Sequence, residues 1–351
     1  MLKIDHLYSS GNDSHYQYVY RNPDSLIYGT PRFMSLIGKH LDAEPGWLIA
    51  KKNCEIVGLL PFMKKNGPLG PILNSLAYYG SNGGVIQHVK DDEAKAHLIS
   101  EFYKMAAEEK CISATIISNP LEKDSEFYHK HTCYDLLDER IGQITHFPDE
   151  IEPDNLMKIF KNPRPRNIRR AMREGIEVVR SQEEESIKFL YKTHVANIES
   201  IGGLSKKKDF FDLIPKIMKK TDWMIYVARL QEQPVAALLV FYFNKTVEYF
   251  TPVVLDQYRN TQALSLSIYR AMQDAQASGF KNWNWGGTWL SQTGVYDFKK
   301  RWGTTDYPYY YYTRVYDDSV KRQTKEALLE QYPGFYVLPF SQLNGPSQGH
   351  N

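Results

Sequence analysis

Cysteine is scarce: Cys54, Cys111 and Cys133 are the only three in 351 residues, and none stands in a CxxC pair. That excludes a disulfide framework and a cysteine-built zinc site, and leaves buried small apolar side chains as the expected role. Long apolar runs are also missing. No stretch of 18 apolar residues occurs, so no membrane-spanning helix is expected. The first residues, MLKIDHLYSSGNDSHYQY, lack the apolar core of a secretion signal. A cytoplasmic protein without a transmembrane segment is the expectation, with room for a peripheral place at an inner membrane. Charge of one sign is lacking too: 43 Lys and Arg stand against 41 Asp and Glu, a formal net charge of +2. The whole molecule is therefore no polyanion binder, DNA is not an expected partner, and any basic function must be local. Walker loops, G-x-S-x-G elbows, metal-ligand spacings and paired-carboxylate motifs are absent, so neither a bound metal nor a permanent cofactor is expected.

What is present is organised around Lys281 to Thr304, KNWNWGGTWLSQTGVYDFKKRWGT. Apolar residues Leu264, Ile268, Ala271, Met272 and Ala275 mark one face of a helix from about Gln262 to Ser278. Gly279 stands where a left-handed helix cap belongs. Asn282-Trp283-Asn284-Trp285 reads as a short strand, broken by Gly286-Gly287 and followed by a basic-aromatic turn from Tyr296 to Gly303. Helix, strand, glycine break and turn present polar groups at a strand's C-terminal end, where open α/β sheets collect ligands.

Elsewhere the pattern is α+β. In the first half Thr30-Pro31 starts a helix, Trp47–Ala50 and Ile56–Met63 form a hairpin, Asp92–Glu109 a helix and Ser113–Ser118 a strand. The run Tyr78-Tyr79-Gly80-Ser81-Asn82-Gly83-Gly84 allows close backbone approach to a ligand, with Tyr79 and Asn82 as hydrogen-bonding groups; a bulged strand is the plainer alternative. In the second half, five arginines fall within Asn162–Glu174, and Arg166, Arg169, Arg170 and Arg173 lie on adjacent faces of one predicted helix. Their guanidinium forks suit phosphate, either a diphosphate or an RNA backbone; a solvated basic face is the alternative. Three strands follow: Met224–Arg229, Val235–Phe243 and Thr246–Val253. His194 reads as a packed histidine more readily than as a base.

With these elements in hand, the chain resembles the FemABX-like branch of the GNAT acyltransferase superfamily over roughly residues 25–315. Phe298, Lys299, Trp302 and Gly303 match the FK-x-x-(F/W)-G turn of that branch. The resemblance implies two tandem GNAT-like domains, each a mixed sheet flanked by helices: residues 1–150, residues 151–330, and a partly disordered tail at 331–351. It implies transfer of an acyl or aminoacyl group onto the amine of a sugar or peptide, small or lipid-linked, in a cell-envelope precursor. Lys299 would stabilise the oxyanion or leaving group, with Tyr249 and Asp297 as further catalytic candidates. Arg166, Arg169, Arg170, Tyr79, Asn82, Thr251, Trp285, Gly286, Tyr296 and Phe298 would bind substrate. The donor is acyl-CoA or aminoacyl-tRNA: the stretch Asp256–Ala263, where the superfamily keeps a glycine-rich pyrophosphate loop, holds no glycine. A non-catalytic module binding a nucleotide-sugar or protein partner is the alternative.

Overall fold

The computed structural model describes residues 1–77 and 83–343. The chain forms two compact units, Met1–Arg140 with the segment from Pro308 onward, and Ile141–Tyr307.

In the first unit, β1 (Leu2–Leu7), β2 (Glu44–Lys52), β3 (Glu55–Lys65), β4 (Ile72–Asn74) and β5 (Ser113–Ile117) lie side by side in chain order. Helices α1 (Asp13–Arg21), α2 (Pro31–Leu41), α3 (Asp92–Glu108) and α4 (Ser125–His131) complete it. The hairpin between β2 and β3 is tight because Asn53 and Cys54 both take left-handed backbone angles, φ 52 and 68. Thr30 caps α2 through its hydroxyl, with Pro31 at the first helical position, as the sequence predicts. Pairing is antiparallel except between β4 and β5. Leu48, Leu60, Phe62, Leu98, Phe102 and Ile116 close the core between sheet and α3.

The second unit receives the chain within β6 (Leu136–His146). Helices α5 (Arg164–Arg173), α6 (Glu184–Glu199), α7 (Lys208–Ile217) and α8 (Ala263–Ala277) accompany β7 (Glu177–Ser181), β8 (Trp223–Leu230), β9 (Gln233–Phe243), β10 (Thr246–Val254) and β11 (Asn282–Trp289). A short α9 (Thr293–Lys300) precedes β12 (Thr304–Val315), which returns the chain to the first unit; there its Tyr311–Val315 pairs with β5 and is followed by α10 (Lys325–Gln331). The strand order is β6-β11-β10-β9-β8-β7. Strands β7 to β10 form an antiparallel meander, and β11 returns parallel to β10 after the α8 crossover. Trp283, Trp285, Trp302, Ile268 and Met272 lie in its core.

Three expectations need correction. The units divide at 140/141 and 307/308, not at 150/151, because β6 and β12 each pass from one unit to the other and no loop marks the boundary. The segment after 330 is no loose tail as far as residue 343. Phe335, Tyr336, Val337 and Leu338 are buried, Asn74 donates to the Tyr336 carbonyl at 2.9 Å and Tyr332 to the Gly70 carbonyl at 2.8 Å. Residues 344–351 lie outside the described residues. Finally, the predicted turn from Tyr296 is helical through Lys300, and β11 continues past its glycines to Trp289.

Gly303, the last residue of the motif, has φ +75, and a Cβ there would stand 2.7 Å from the Ile159 carbonyl oxygen. Both features require glycine. Gly303→Ala should therefore cost about 2–4 kcal/mol, read as a lowered urea midpoint at unchanged slope.

Candidate active site

Strands β10 and β11 pair only over Thr246–Glu248 and Asn282–Asn284, although they run on to Val254 and Trp289. The parting is built into β10, whose register against β9 shifts between Tyr249 and Thr251. The extra residue, Phe250, twists the strand away. At the same level β11 turns through Gly286, φ +71, whose N–H donates to the Asn284 side chain at 2.9 Å.

Separated strands leave backbone carbonyls without ladder partners, and here they are met by one cation. Lys299 Nζ donates to the carbonyls of Gly286 (3.2 Å) and Gly287 (3.0 Å) and to the Thr288 hydroxyl (2.8 Å). Three ammonium protons meet three acceptors. The Thr288 hydroxyl in turn donates to Gln143 at 3.1 Å. Lys299 is 6% exposed, and burial lowers its pKa to about 8. Neither Asp297 nor Asp306 pairs with it; Lys300 takes Asp306 at 2.9 Å.

An aromatic wall stands behind this cation. Tyr249 lies 4.8 Å from Trp285, ring to ring, and Trp285 lies 5.4 Å from Trp302. The Trp285 indole donates to the Thr145 hydroxyl at 2.9 Å, which donates to the Trp302 carbonyl at 3.0 Å. Trp285 is thus a buried support, while Tyr249 and Phe298 are only half-buried. Burial raises the Tyr249 pKa, opposed by the nearby charge of Arg164.

Arg164 is a candidate site residue that the sequence pattern does not separate from its exposed neighbours. Its guanidinium stacks 4.2 Å over Phe298 and 5.4 Å from the Trp302 ring. It is 7% exposed; among the described residues its Nε has no hydrogen-bond partner, and its guanidinium donates to the Phe298 carbonyl at a long 3.5 Å. Burial, helped by the charge of Arg301, lowers its pKa to about 10. A buried guanidinium without a carboxylate is costly unless an anionic group joins it. The legible signal was Pro163-Arg164-Pro165, an arginine between two prolines at the helix start.

The remaining candidates separate. Thr251 is buried, and its hydroxyl lacks a partner among the described residues. Tyr296 donates to Asp306 at 2.6 Å, which ties α9 to the start of β12. Asp297 is exposed and makes no side-chain bond among the described residues. Tyr79 and Asn82 lie outside the described residues. On α5, Arg166, Arg169 and Arg173 line an open cavity of about 480 Å³ with Met172, and Arg166 shares a neighbouring one of about 540 Å³ with Asn162, Pro163 and Arg301. Arg170 does not line either cavity; it pairs with Glu174 at 2.7 Å, one turn along the helix.

His194 is a structural latch. Its Nε2 accepts the Lys206 backbone N–H at 3.1 Å, and burial with the Lys206 charge lowers its pKa to about 4. Lys206 itself sits 5.2 Å over the ring of Phe250, the bulged residue of β10, and burial lowers its pKa to about 8. The glycine-free segment before α8 is a 3-10 helix, Asp256–Thr261, and the Thr261 hydroxyl accepts the Ala263 N–H at 3.3 Å. One amide that could face a pyrophosphate at this helix start is therefore already bonded.

Residues 163–300 match the acetyltransferase (GNAT) domain family. Among solved structures, FemX superposes with a TM-score of 0.70 at 14% identity, over 93% of this chain and 100% of that one. The chain has a GNAT-type domain within a FemX-like fold. The C-terminal domain of a putative lysylphosphatidylglycerol synthetase from Agrobacterium fabrum matches with a TM-score of 0.57 and 11% identity, over 93% of this chain and 98% of that one. A tandem GNAT protein from the clavulanic acid biosynthesis pathway matches with 0.55 and 9%, over 89% and 98%. These likenesses agree with the expected two-domain GNAT fold. No curated protein matches the sequence. The GNAT domain makes the protein an acyltransferase, and the parted strands with Lys299 are its candidate site.

Proposed function

We propose that this GNAT-type enzyme moves an activated acyl or aminoacyl group onto the amine of a sugar or peptide in a cell-envelope precursor. The observation that carries the reading is the cation of Lys299, spent entirely on the peptide groups of Gly286 and Gly287 and on Thr288 where β10 and β11 part. A fixed, desolvated positive charge at that point favours the oxyanion of a tetrahedral intermediate without reorganising during the reaction. In the step itself the acceptor nitrogen attacks the donor carbonyl carbon. The C–S bond of a thioester or the C–O bond of a tRNA ester then breaks, and the amine proton leaves with the thiol or hydroxyl. Arg164, buried beside Tyr249 and Phe298, supplies a second cation for the donor's anionic part. Tyr249 and Thr251 border the acceptor, and the unpaired arginines of α5 take phosphates.

For the donor, the bonded start of α8 weighs against a coenzyme A pyrophosphate and the arginine face weighs for a polyphosphate chain. The lysylphosphatidylglycerol synthetase likeness is compatible with a lipid-linked acceptor. The test is donor binding by the full chain: a thermal shift with acetyl-CoA beside an electrophoretic assay with charged tRNA at two salt concentrations. A ligand of the native state raises the melting temperature, and phosphate contacts weaken with salt. Salt-sensitive binding of charged tRNA without an acetyl-CoA shift is expected. Binding of neither would sink the catalytic reading and favour a non-catalytic module.

A further inference from the structure

Four exposed aliphatic side chains of the second unit gather in two of its connections, outside its core. Ile201 and Leu204, 75% and 73% exposed, flank Gly202-Gly203 in the loop between α6 and α7. Leu290 and Val295 are exposed in the connection from β11 and the first turn of α9. Topology brings both connections to one rim. Asn197, near the end of α6, exchanges two bonds with the Val254 backbone, at 2.9 and 3.0 Å, so the α6–α7 loop leaves at the C-terminal end of β10. Strand β11 runs parallel to β10 and therefore releases Leu290 at the same end. This is the end at which the two strands part.

Aliphatic tips that line a concavity would grip a ligand; these project, and none of them lines any of the four main cavities among the described residues. Projection suits a planar apolar medium that the tips enter together. Gly202, with φ +68, sets the sharp loop that presents Ile201 and Leu204 apart from the body. The loop is also held: the His194–Lys206 bond closes its far end, and Gly203 N–H returns to the Ile198 carbonyl at 3.0 Å. A pre-formed loop loses little further freedom when its tips are buried. Charge points to the same partner. Residues 141–307 hold 24 Lys and Arg against 19 Asp and Glu, although the whole chain is nearly balanced at 43 against 41. Lys207, next to the loop, is exposed.

We propose that this rim docks the enzyme reversibly on an anionic lipid surface, with Ile201, Leu204 and Leu290 entering the headgroup–acyl boundary. Shallow insertion of a few aliphatic side chains together with a cationic body gives peripheral binding. The inference deepens the proposed function, because it brings the parted strands to a lipid-linked acceptor. It does not depend on turnover.

The experiment is co-sedimentation of the full chain with vesicles of phosphatidylcholine alone or of equimolar phosphatidylcholine and phosphatidylglycerol, at low and high salt. The wild type should pellet with the anionic vesicles, and salt should weaken that binding by screening. The double variant Ile201→Asp, Leu204→Asp should bind about tenfold more weakly with an unchanged melting temperature, since both side chains are exposed. Lys299→Met should pellet like the wild type, which separates this proposal from the fate of the catalytic one. Failure of the wild type to pellet overturns it. So does equal pelleting of the double variant, which would leave only charge attraction. A double variant that pellets like the wild type yet raises an acceptor's KM would assign the tips to the acceptor and overturn it as well.

Discussion

Lys299→Met should lower single-turnover acyl transfer by about 10²–10³-fold, the loss typical of removing one preorganised electrostatic contact from a developing oxyanion. The fold should survive. The methionine leaves the carbonyls of Gly286 and Gly287 and the Thr288 hydroxyl short of a donor, at about 1–3 kcal/mol each if they stay dry. It also removes a buried ammonium, whose desolvation offsets much of that cost. Circular dichroism and a melting curve distinguish a folded, slow enzyme from an unfolded one. Lys299→Arg keeps the charge, but a planar fork does not reproduce three tetrahedral donors. Turnover of Lys299→Met within a few-fold of wild type would remove the lysine from the mechanism.

The same burial yields a pH signature in which activity and stability move in opposite directions. Burial lowers the folded pKa of Lys299 to about 8 from its ordinary value of 10.5. Between those values the unfolded chain binds more protons than the folded one, so stability rises with pH from about 8 toward 10.5. Below 8 both states are protonated and the full penalty of burying the charge is present. Activity should fall through the same window as the cation disappears. Lys206 shares the direction and the value, so a melting series between pH 8 and 10 must compare wild type with Lys299→Met, where the rise should shrink but persist.

Periodic apolar faces and turn residues made much of the second unit readable. Gly279 ends α8, and Gln231 and Glu232 take the left-handed angles of the β8–β9 turn. The motif placed Lys299 near a glycine-marked strand end. What the lysine does there was hidden, because its three acceptors are backbone carbonyls and a hydroxyl that only the parting of β10 and β11 leaves open. The parting itself comes from a single extra residue, Phe250, which no local pattern marks. Arg164 was obscured for a related reason. Five arginines in one short stretch read alike, and only packing against Phe298 and Trp302 separates the buried one from the exposed ones. Domain limits were misread because strand residues, not Gly- or Pro-rich linkers, carry the chain between units.

Reversing the exposed arginines provides the second large effect. Arg166, Arg169 and Arg173 have no acidic partner among the described residues, and Arg301 lines the second of the two cavities beside Arg166. Four guanidiniums left unpaired in one place repel each other by a modest amount in water, and they lose that repulsion when phosphates arrive. Arg166→Glu with Arg169→Glu should therefore weaken binding of charged tRNA by about 10²–10³-fold at low salt, and reduce the slope of log K against log salt by roughly two. Arg170→Glu should act mainly on helix stability, by a few tenths of a kcal/mol, because Arg170 already pairs with Glu174. A titration at several salt concentrations distinguishes the cases. Equal losses at all three positions would mean a diffuse basic surface. Loss confined to Arg166 and Arg169 would mean a phosphate track on one face of α5. No loss at any of them would return the helix to solvent and leave Arg164, inside the site, as the cation that meets the donor.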